Sequence, residues 1–281
     1  MQKLLLFLTL TICVIGCKKK SDDTSDYGKK ANIAYGADAQ QVLDLYLPAD
    51  GNASSTKLMI LIHGGAWADG DKADFDVYIS ELKRRLPDYA FANINYRLYT
   101  SAGQNKFPAQ EEDVKAAVTF LMNKSGDYKY SKNFILLGAS AGGHLALLQG
   151  YKYANIAKPK AIISFFGPTD FTDLYNHPGL PIVPPLLATI IGATPTQNAA
   201  LYESYSPIHF VTAQSPHTLL LQGGKDELVP VAQATRLVTK LNDAGVINEY
   251  IYYPNEGHSW TGPNLDDSFN KVETFIRKHV P

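Results

Sequence analysis

Three residues of this chain, Ser140, Asp226 and His258, have the types and placement that acyl transfer requires. A serine hydroxyl is a poor nucleophile near neutral pH. It attacks a carbonyl only when a base within hydrogen-bond reach takes its proton, and the base needs an acid to fix its tautomer and stabilise its charged form. Ser140 stands in Gly138-Ala-Ser-Ala-Gly142, the pattern G-x-S-x-G, between the apolar run Phe134–Leu137 and a stretch rich in Ala and Leu. Where a strand turns sharply into a helix, this pattern holds the serine at the apex with its hydroxyl exposed, beside the positive end of the helix. Side chains at the two glycines would collide with the neighbouring strand or helix. Asp226 follows the run His217–Gln222, in Gly224-Lys-Asp-Glu227, and His258 follows Glu249–Tyr253, in Gly257-His-Ser-Trp260. Both loops lie at strand C-terminal ends, where an open α/β sheet gathers its functional groups.

The developing oxyanion needs donors as well. His63-Gly64-Gly65-Ala66-Trp67 directly follows the apolar run Leu58–Ile62. Consecutive glycines let backbone N–H groups face a carbonyl oxygen without obstruction. Gly64, Gly65 and Ala66 are the candidate donors from this loop, with Gly65 preferred, and the Ala141 amide is their partner. Trp67 and Trp260 adjoin the site and are candidates to stack on a sugar or an aromatic acyl group, with core packing the competing reading. His63 and His144 are expected to hold the loop and helix rather than to react. Asp170 also follows a strand and competes for the acid role, with Asp226 preferred. Arg97 is read as a buried ion-pair partner, and Asp266 and Asp267 as caps of the last helix.

The elements that must position these groups alternate between apolar runs and helical stretches from about Asn32 onward, which predicts a mainly parallel sheet with helices on both faces. Ile33–Tyr35 and Val42–Leu47 read as an antiparallel edge hairpin. Leu58–Ile62, Ala90–Asn95, Phe134–Leu137, Ala161–Phe166, His217–Gln222 and Glu249–Tyr253 read as strands, and Asp76–Leu86, Pro108–Met122, Val231–Leu241 and Leu265–His279 as helices. Thr169 to Pro216 is a long irregular excursion with Pro178, Pro181, Pro184 and Pro185. Its apolar piece Leu186–Ile191 favours a short substrate-covering cap over a packed loop.

The 281 residues carry 45% hydrophobic and 19% charged side chains and a formal net charge of −1, which argues against nucleic acid or an anionic membrane surface as the main partner. The N-terminus stands apart. Lys3, the apolar run Leu4–Ile15, Gly16 and Cys17 resemble a bacterial lipoprotein signal, too short to span a bilayer. A signal peptide over residues 1–16, lipidation at Cys17 and a polar tether over 17–30 are expected, ahead of a catalytic domain over 31–281. Export and a lipid anchor on a bacterial envelope membrane, at its periplasmic face or outer surface, follow as expectations, with the anchor as the only membrane contact. Both cysteines, Cys13 and Cys17, lie in this leader, so the domain itself holds no disulfide and no thiol chemistry.

His63-Gly-Gly-Ala-Trp67, Asn95-Tyr-Arg97, Gly138-Ala-Ser-Ala-Gly-Gly-His144, Gly167-Pro-Thr-Asp170, Tyr205-Ser-Pro207 and Gly257-His258 together resemble the α/β-hydrolase esterases. The nearest likeness is to the group of bifunctional feruloyl and acetyl-xylan esterases, with the hormone-sensitive-lipase-like esterases next. The chain order serine, aspartate, histidine is also that of α/β-hydrolases. The resemblance covers nearly all of the chain from about Ile33. One departure is Ala66, where many relatives carry a third glycine. The resemblance implies an α/β-hydrolase fold and a serine carboxylesterase with no metal or organic cofactor, acting on short-chain esters or acetylated or feruloylated polysaccharide. Two alternatives are a serine peptidase of prolyl-oligopeptidase type and a non-catalytic, glycan-binding surface lipoprotein. Activity is expected to fall in acid as His258 protonates and loses its capacity as a base.

Overall fold

A computed structural model describes residues 27–280. The signal, the lipidation residue Cys17 and most of the tether lie outside the described residues. Eight strands form one sheet: β1 (Tyr27–Ala34), β2 (Val42–Pro48), β3 (Lys57–Ile62), β4 (Tyr89–Ile94), β5 (Phe134–Ala139), β6 (Ala161–Phe165), β7 (His217–Gly223) and β8 (Asn248–Tyr253). Their spatial order is β1-β2-β4-β3-β5-β6-β7-β8. β1 pairs antiparallel with β2, and β2 with β4; every other pairing is parallel. This is the predominantly parallel, edge-hairpin sheet expected of an α/β-hydrolase.

The apolar runs form central strands because both faces of the sheet are covered. In β3, Leu58, Ile60 and Ile62 enter one core while Met59 and Leu61 enter the other. The second core lies under α1 (Asp76–Arg85) and α8 (Pro263–His279), through Ile79, Leu82, Phe269, Val272 and Phe275. The first lies under α2 (Ala109–Asn123), α3 (Ala141–Lys152) and α7 (Val231–Asp243), through Val114, Leu121, Leu145, Ala146 and Leu237.

Two expectations need correction. The stretch read as tether reaches too far: Tyr27–Lys30 already belong to β1, where the Tyr27 hydroxyl donates to the Tyr89 carbonyl at 2.7 Å and Lys29 pairs with Asp44 at 2.9 Å. Polar composition hid this strand because its side chains are mostly exposed at the sheet edge. The excursion is not irregular either. It holds three short α-helices, α4 (Phe171–Asn176), α5 (Val183–Ile191) and α6 (Ala199–Ser204), and a 3₁₀ turn at Pro207–Phe210. Pro184 and Pro185 fall in the first turn of α5, where their missing N–H groups have no intrahelical partner to lose. Val183, Leu187, Ile190 and Ile191 pack into the first core, so α5 is anchored to the body of the molecule. The excursion borders the acid loop, since a Cβ on Gly179 would lie 2.2 Å from the Glu227 carbonyl oxygen.

Candidate active site

The β5–α3 turn puts Ser140 at φ 55°, ψ −121°, a conformation non-glycine residues rarely adopt. Its N–H donates to the Phe165 carbonyl at 2.8 Å, and its carbonyl accepts the His144 N–H at 3.0 Å. The flanking glycines are required by contact. A Cβ on Gly138 would lie 2.1 Å from the Gly142 carbonyl oxygen, and one on Gly142 would lie 1.9 Å from that of Ile62. The sharp turn therefore presses α3 against β5 and β3, and the strained serine is the residue left pointing outward.

The hydroxyl of Ser140 lies 2.8 Å from Nε2 of His258. On the other side of the ring, Nδ1 of His258 lies 2.9 Å from Oδ2 and 3.0 Å from Oδ1 of Asp226. Nδ1 therefore carries the proton donated to Asp226, which leaves Nε2 free to accept from Ser140. The Asp226 carboxylate is fully buried, and a buried charge persists only when its oxygens are satisfied. Oδ1 accepts the amides of Leu228 (3.0 Å) and Val229 (2.9 Å), and Oδ2 accepts the Gln222 side-chain amide at 2.9 Å. Gln222, which also donates to the Val229 carbonyl at 3.0 Å, was missed at the level of sequence. Its signal is a lone polar residue closing the apolar run of β7.

Glycine also lets the acid and base loops interlock. A Cβ on Gly223 would lie 2.1 Å from the Gly257 carbonyl oxygen. The Gly224 amide donates to the Tyr253 carbonyl and the Lys225 amide to that of Glu256, each at 2.8 Å. Beyond His258, the Trp260 indole N–H donates to Ser268 Oγ on α8 at 2.9 Å, and Ser268 Oγ lies 3.0 Å from the Tyr253 hydroxyl. The base loop is thus tied to β7, β8 and α8.

The loop after β3 has an unusual backbone. Gly65 has φ 101°, Ala66 φ 51° and Trp67 φ 61°. Its carbonyls face the scaffold: Gly64 O accepts from the Tyr96 hydroxyl at 3.1 Å and from His63 Nδ1 at 2.8 Å, and Trp67 O accepts from the Tyr99 amide at 2.9 Å. None of the hydrogen bonds among the described residues uses the amides of Gly64, Gly65 or Ala66, and Ala141, first residue of α3, has no intrahelical acceptor for its own. A Cβ on Gly64 would lie 3.4 Å from Cβ of Ser140, and Gly65 is exposed. Gly64 therefore lies against Ser140 with its amide unspent.

The remaining residues sort cleanly. His144 is fully buried, with Nε2 2.7 Å from the Tyr205 carbonyl and Nδ1 accepting the Trp67 indole N–H at 3.2 Å. Burial pushes its pKa down to about 3, and it serves as a structural linker. Burial likewise lowers the pKa of His63, whose ring stacks on Tyr96 at 4.3 Å. Trp67 is a core residue and not a stacking platform: it packs edge-on against Phe107, His144 and Phe171 and is 4% exposed. Trp260 is also buried, though its ring faces a crevice beside the site. Asp170 caps α4 and pairs with Arg236 at 2.8 Å, so it takes no part in the Ser140–His258 array. Arg97 forks onto the buried Asp113 at 2.7–3.0 Å, as its reading as an ion-pair partner requires. Asp266 and Asp267 do not cap α8. Its N-cap is Gly262, and Asp267 instead accepts the Tyr253 hydroxyl at 2.9 Å. Among the described residues, no group of three or more His, Cys, Asp or Glu side chains is placed to share a metal ion.

Comparison with known proteins shows what the whole chain is similar to. The BD-FAE family profile matches residues 43–241, spanning Ser140 and Asp226 and ending before His258. Esterase LipC of Mycobacterium tuberculosis is 26% identical over 83% of this chain and 60% of its own length. Kynurenine formamidase of Meyerozyma guilliermondii is 31% identical over 72% of this chain and 76% of its own. Among solved structures, the bifunctional GH43-CE protein of Bacteroides eggerthii superposes with a TM-score of 0.77 at 27% identity, over 90% of this chain and 38% of that one. The chain thus spans about three-fifths of the length of LipC and a smaller part of the bifunctional protein.

Proposed function

We propose that this chain, which belongs to the BD-FAE family, hydrolyses carboxylic esters through an acyl-serine intermediate, with Ser140 as nucleophile, His258 as base and Asp226 as its orienting acid. The observation that carries this reading is the continuous hydrogen-bond path from Ser140 Oγ through His258 to the buried Asp226 carboxylate, at 2.8 and 2.9 Å. His258 Nε2 takes the serine proton as Oγ attacks the ester carbonyl. The tetrahedral oxyanion is held by the Ala141 amide and that of Gly65, with Gly64 and Ala66 flanking; each such donor contributes about 3 kcal/mol of transition-state stabilisation. His258 then delivers the proton to the leaving alkoxide. In the second half-reaction it activates water, and the acyl group departs as the acid. Only the neutral imidazole accepts the proton, so turnover falls in acid.

Esterase LipC and the bifunctional GH43-CE protein support an ester as substrate, and acylated polysaccharide is a substrate class to test. The reading extends to export and lipidation at Cys17. One observation favours a second reading, amide hydrolysis: the similarity to kynurenine formamidase covers about three-quarters of both chains. p-Nitrophenyl acetate assayed beside an N-formyl arylamine and an aminoacyl-nitroanilide decides between them. Turnover of the acetate at a kcat/KM at least a hundredfold above both amides supports the ester reading, and the reverse order overturns it.

A further inference from the structure

A crevice of about 100 Å³ lies on the α1/α8 face of the sheet and reaches Ala139 and Ser259, the chain neighbours of Ser140 and His258. Its walls are Phe75 and Tyr78 just before and within α1, Phe165 at the end of β6, Trp260 ahead of α8, and Leu265 and Phe269 within it. No lining residue carries a charge. Three others tie the crevice to the chemistry: Ala139 precedes Ser140, Ser259 follows His258, and Phe166 lies between. Phe166 has φ 41°, a strained conformation for a bulky residue. Its amide is pinned to the Leu221 carbonyl at 2.7 Å. The ring so placed lies 4.8 Å from that of His258 and 5.2 Å from that of Trp260. Strain of this kind persists only where surrounding structure enforces it, and here it builds a wall shared by the crevice and the catalytic base.

We infer that this crevice receives the apolar arm of the ester, and that the arm it fits is a short, uncharged alkyl chain. The inference rests on the ester-hydrolase reading above. An apolar wall rejects charged groups because nothing there replaces their hydration. The volume falls below the ~150 Å³ cavity that takes up benzene, so a few carbons fit and a fused or extended ring system does not. Each methylene buried in the crevice raises kcat/KM by about fourfold, until the chain outgrows it.

Two ester series test this: methyl alkanoates of rising acyl length, and alkyl acetates of rising alcohol length, followed by acid release. In the wild-type protein one series is expected to climb about fourfold per carbon over the first few carbons and then flatten. Leu265→Trp fills the crevice and is expected to abolish that climb. Tyr78→Ala enlarges it and is expected to move the optimum to longer chains; a cooperative urea-unfolding transition shows that either variant is folded. Chain-length profiles that coincide for all three proteins in both series overturn the inference. Hydrolysis of no ester by the wild-type protein overturns the ester reading instead, so the two failures are distinct.

Discussion

The carbonyl oxygen of Gly257 occupies the space that any side chain on Gly223 would need: a Cβ there would lie 2.1 Å away. This contact sets the spacing of the two loops that bring Asp226 and His258 together, because backbone cannot yield as a flexible side-chain tip can. Gly223→Ala must push the base loop outward. A displacement of about 1 Å from productive geometry costs on the order of a hundredfold in rate. We predict that kcat falls by about that factor and that stability falls by about 1–3 kcal/mol, read from steady-state kinetics and urea unfolding.

Gln222 satisfies Oδ2 of the buried Asp226 carboxylate and so helps to aim it. Gln222→Leu leaves that oxygen with one donor fewer and the Val229 carbonyl without this partner. Leaving the buried Val229 carbonyl unpaired costs about 1–3 kcal/mol. We predict a clear loss of stability together with a kcat reduced by about tenfold, while KM for p-nitrophenyl acetate stays within twofold. An unchanged kcat would show that the two backbone amides hold the carboxylate alone.

His144 is neutral in the folded protein, because its Nδ1 must accept from Trp67 while its Nε2–H donates to Tyr205. Its folded pKa of about 3 lies below the ordinary histidine value. The unfolded chain therefore binds a proton first as the pH falls, and the stabilisation present above about pH 6.5 is lost progressively toward pH 3. Replacement by glutamine keeps a donor and an acceptor but does not titrate. His144→Gln is expected to be less stable at pH 8 and to show a shallower loss of unfolding free energy between pH 6.5 and 4, measured by denaturant titration across that range.

Much of the site was legible in the sequence because its chemistry is local. Glycines at 138, 142 and 223 mark turns that close backbone approach explains, and Ser140 and Asp226 each follow a buried apolar strand. The central strands were readable for the same reason, as runs covered on both faces. The first residues of β1 were not, since an exposed edge strand has no apolar pattern. Trp67 illustrates a different limit. Adjacency to the oxyanion loop suggested a surface role, but φ 61° turns its ring inward onto His144 and Phe171. The crevice was invisible because α1, β6 and α8 build it from positions far apart in the chain, and Gln222 because one polar residue at a strand end declares no partner.

The central claim, a serine nucleophile activated through His258, is tested most directly by labelling with a fluorophosphonate probe in wild type, Ser140→Ala and Asp226→Asn. Rapid stoichiometric labelling of the wild-type protein is expected and none of Ser140→Ala, with both showing the same unfolding midpoint. Labelling is expected to slow by orders of magnitude in Asp226→Asn, where the imidazole loses the partner that fixes its tautomer. Labelling of a folded Ser140→Ala protein at the wild-type rate would rule out Ser140 as the nucleophile.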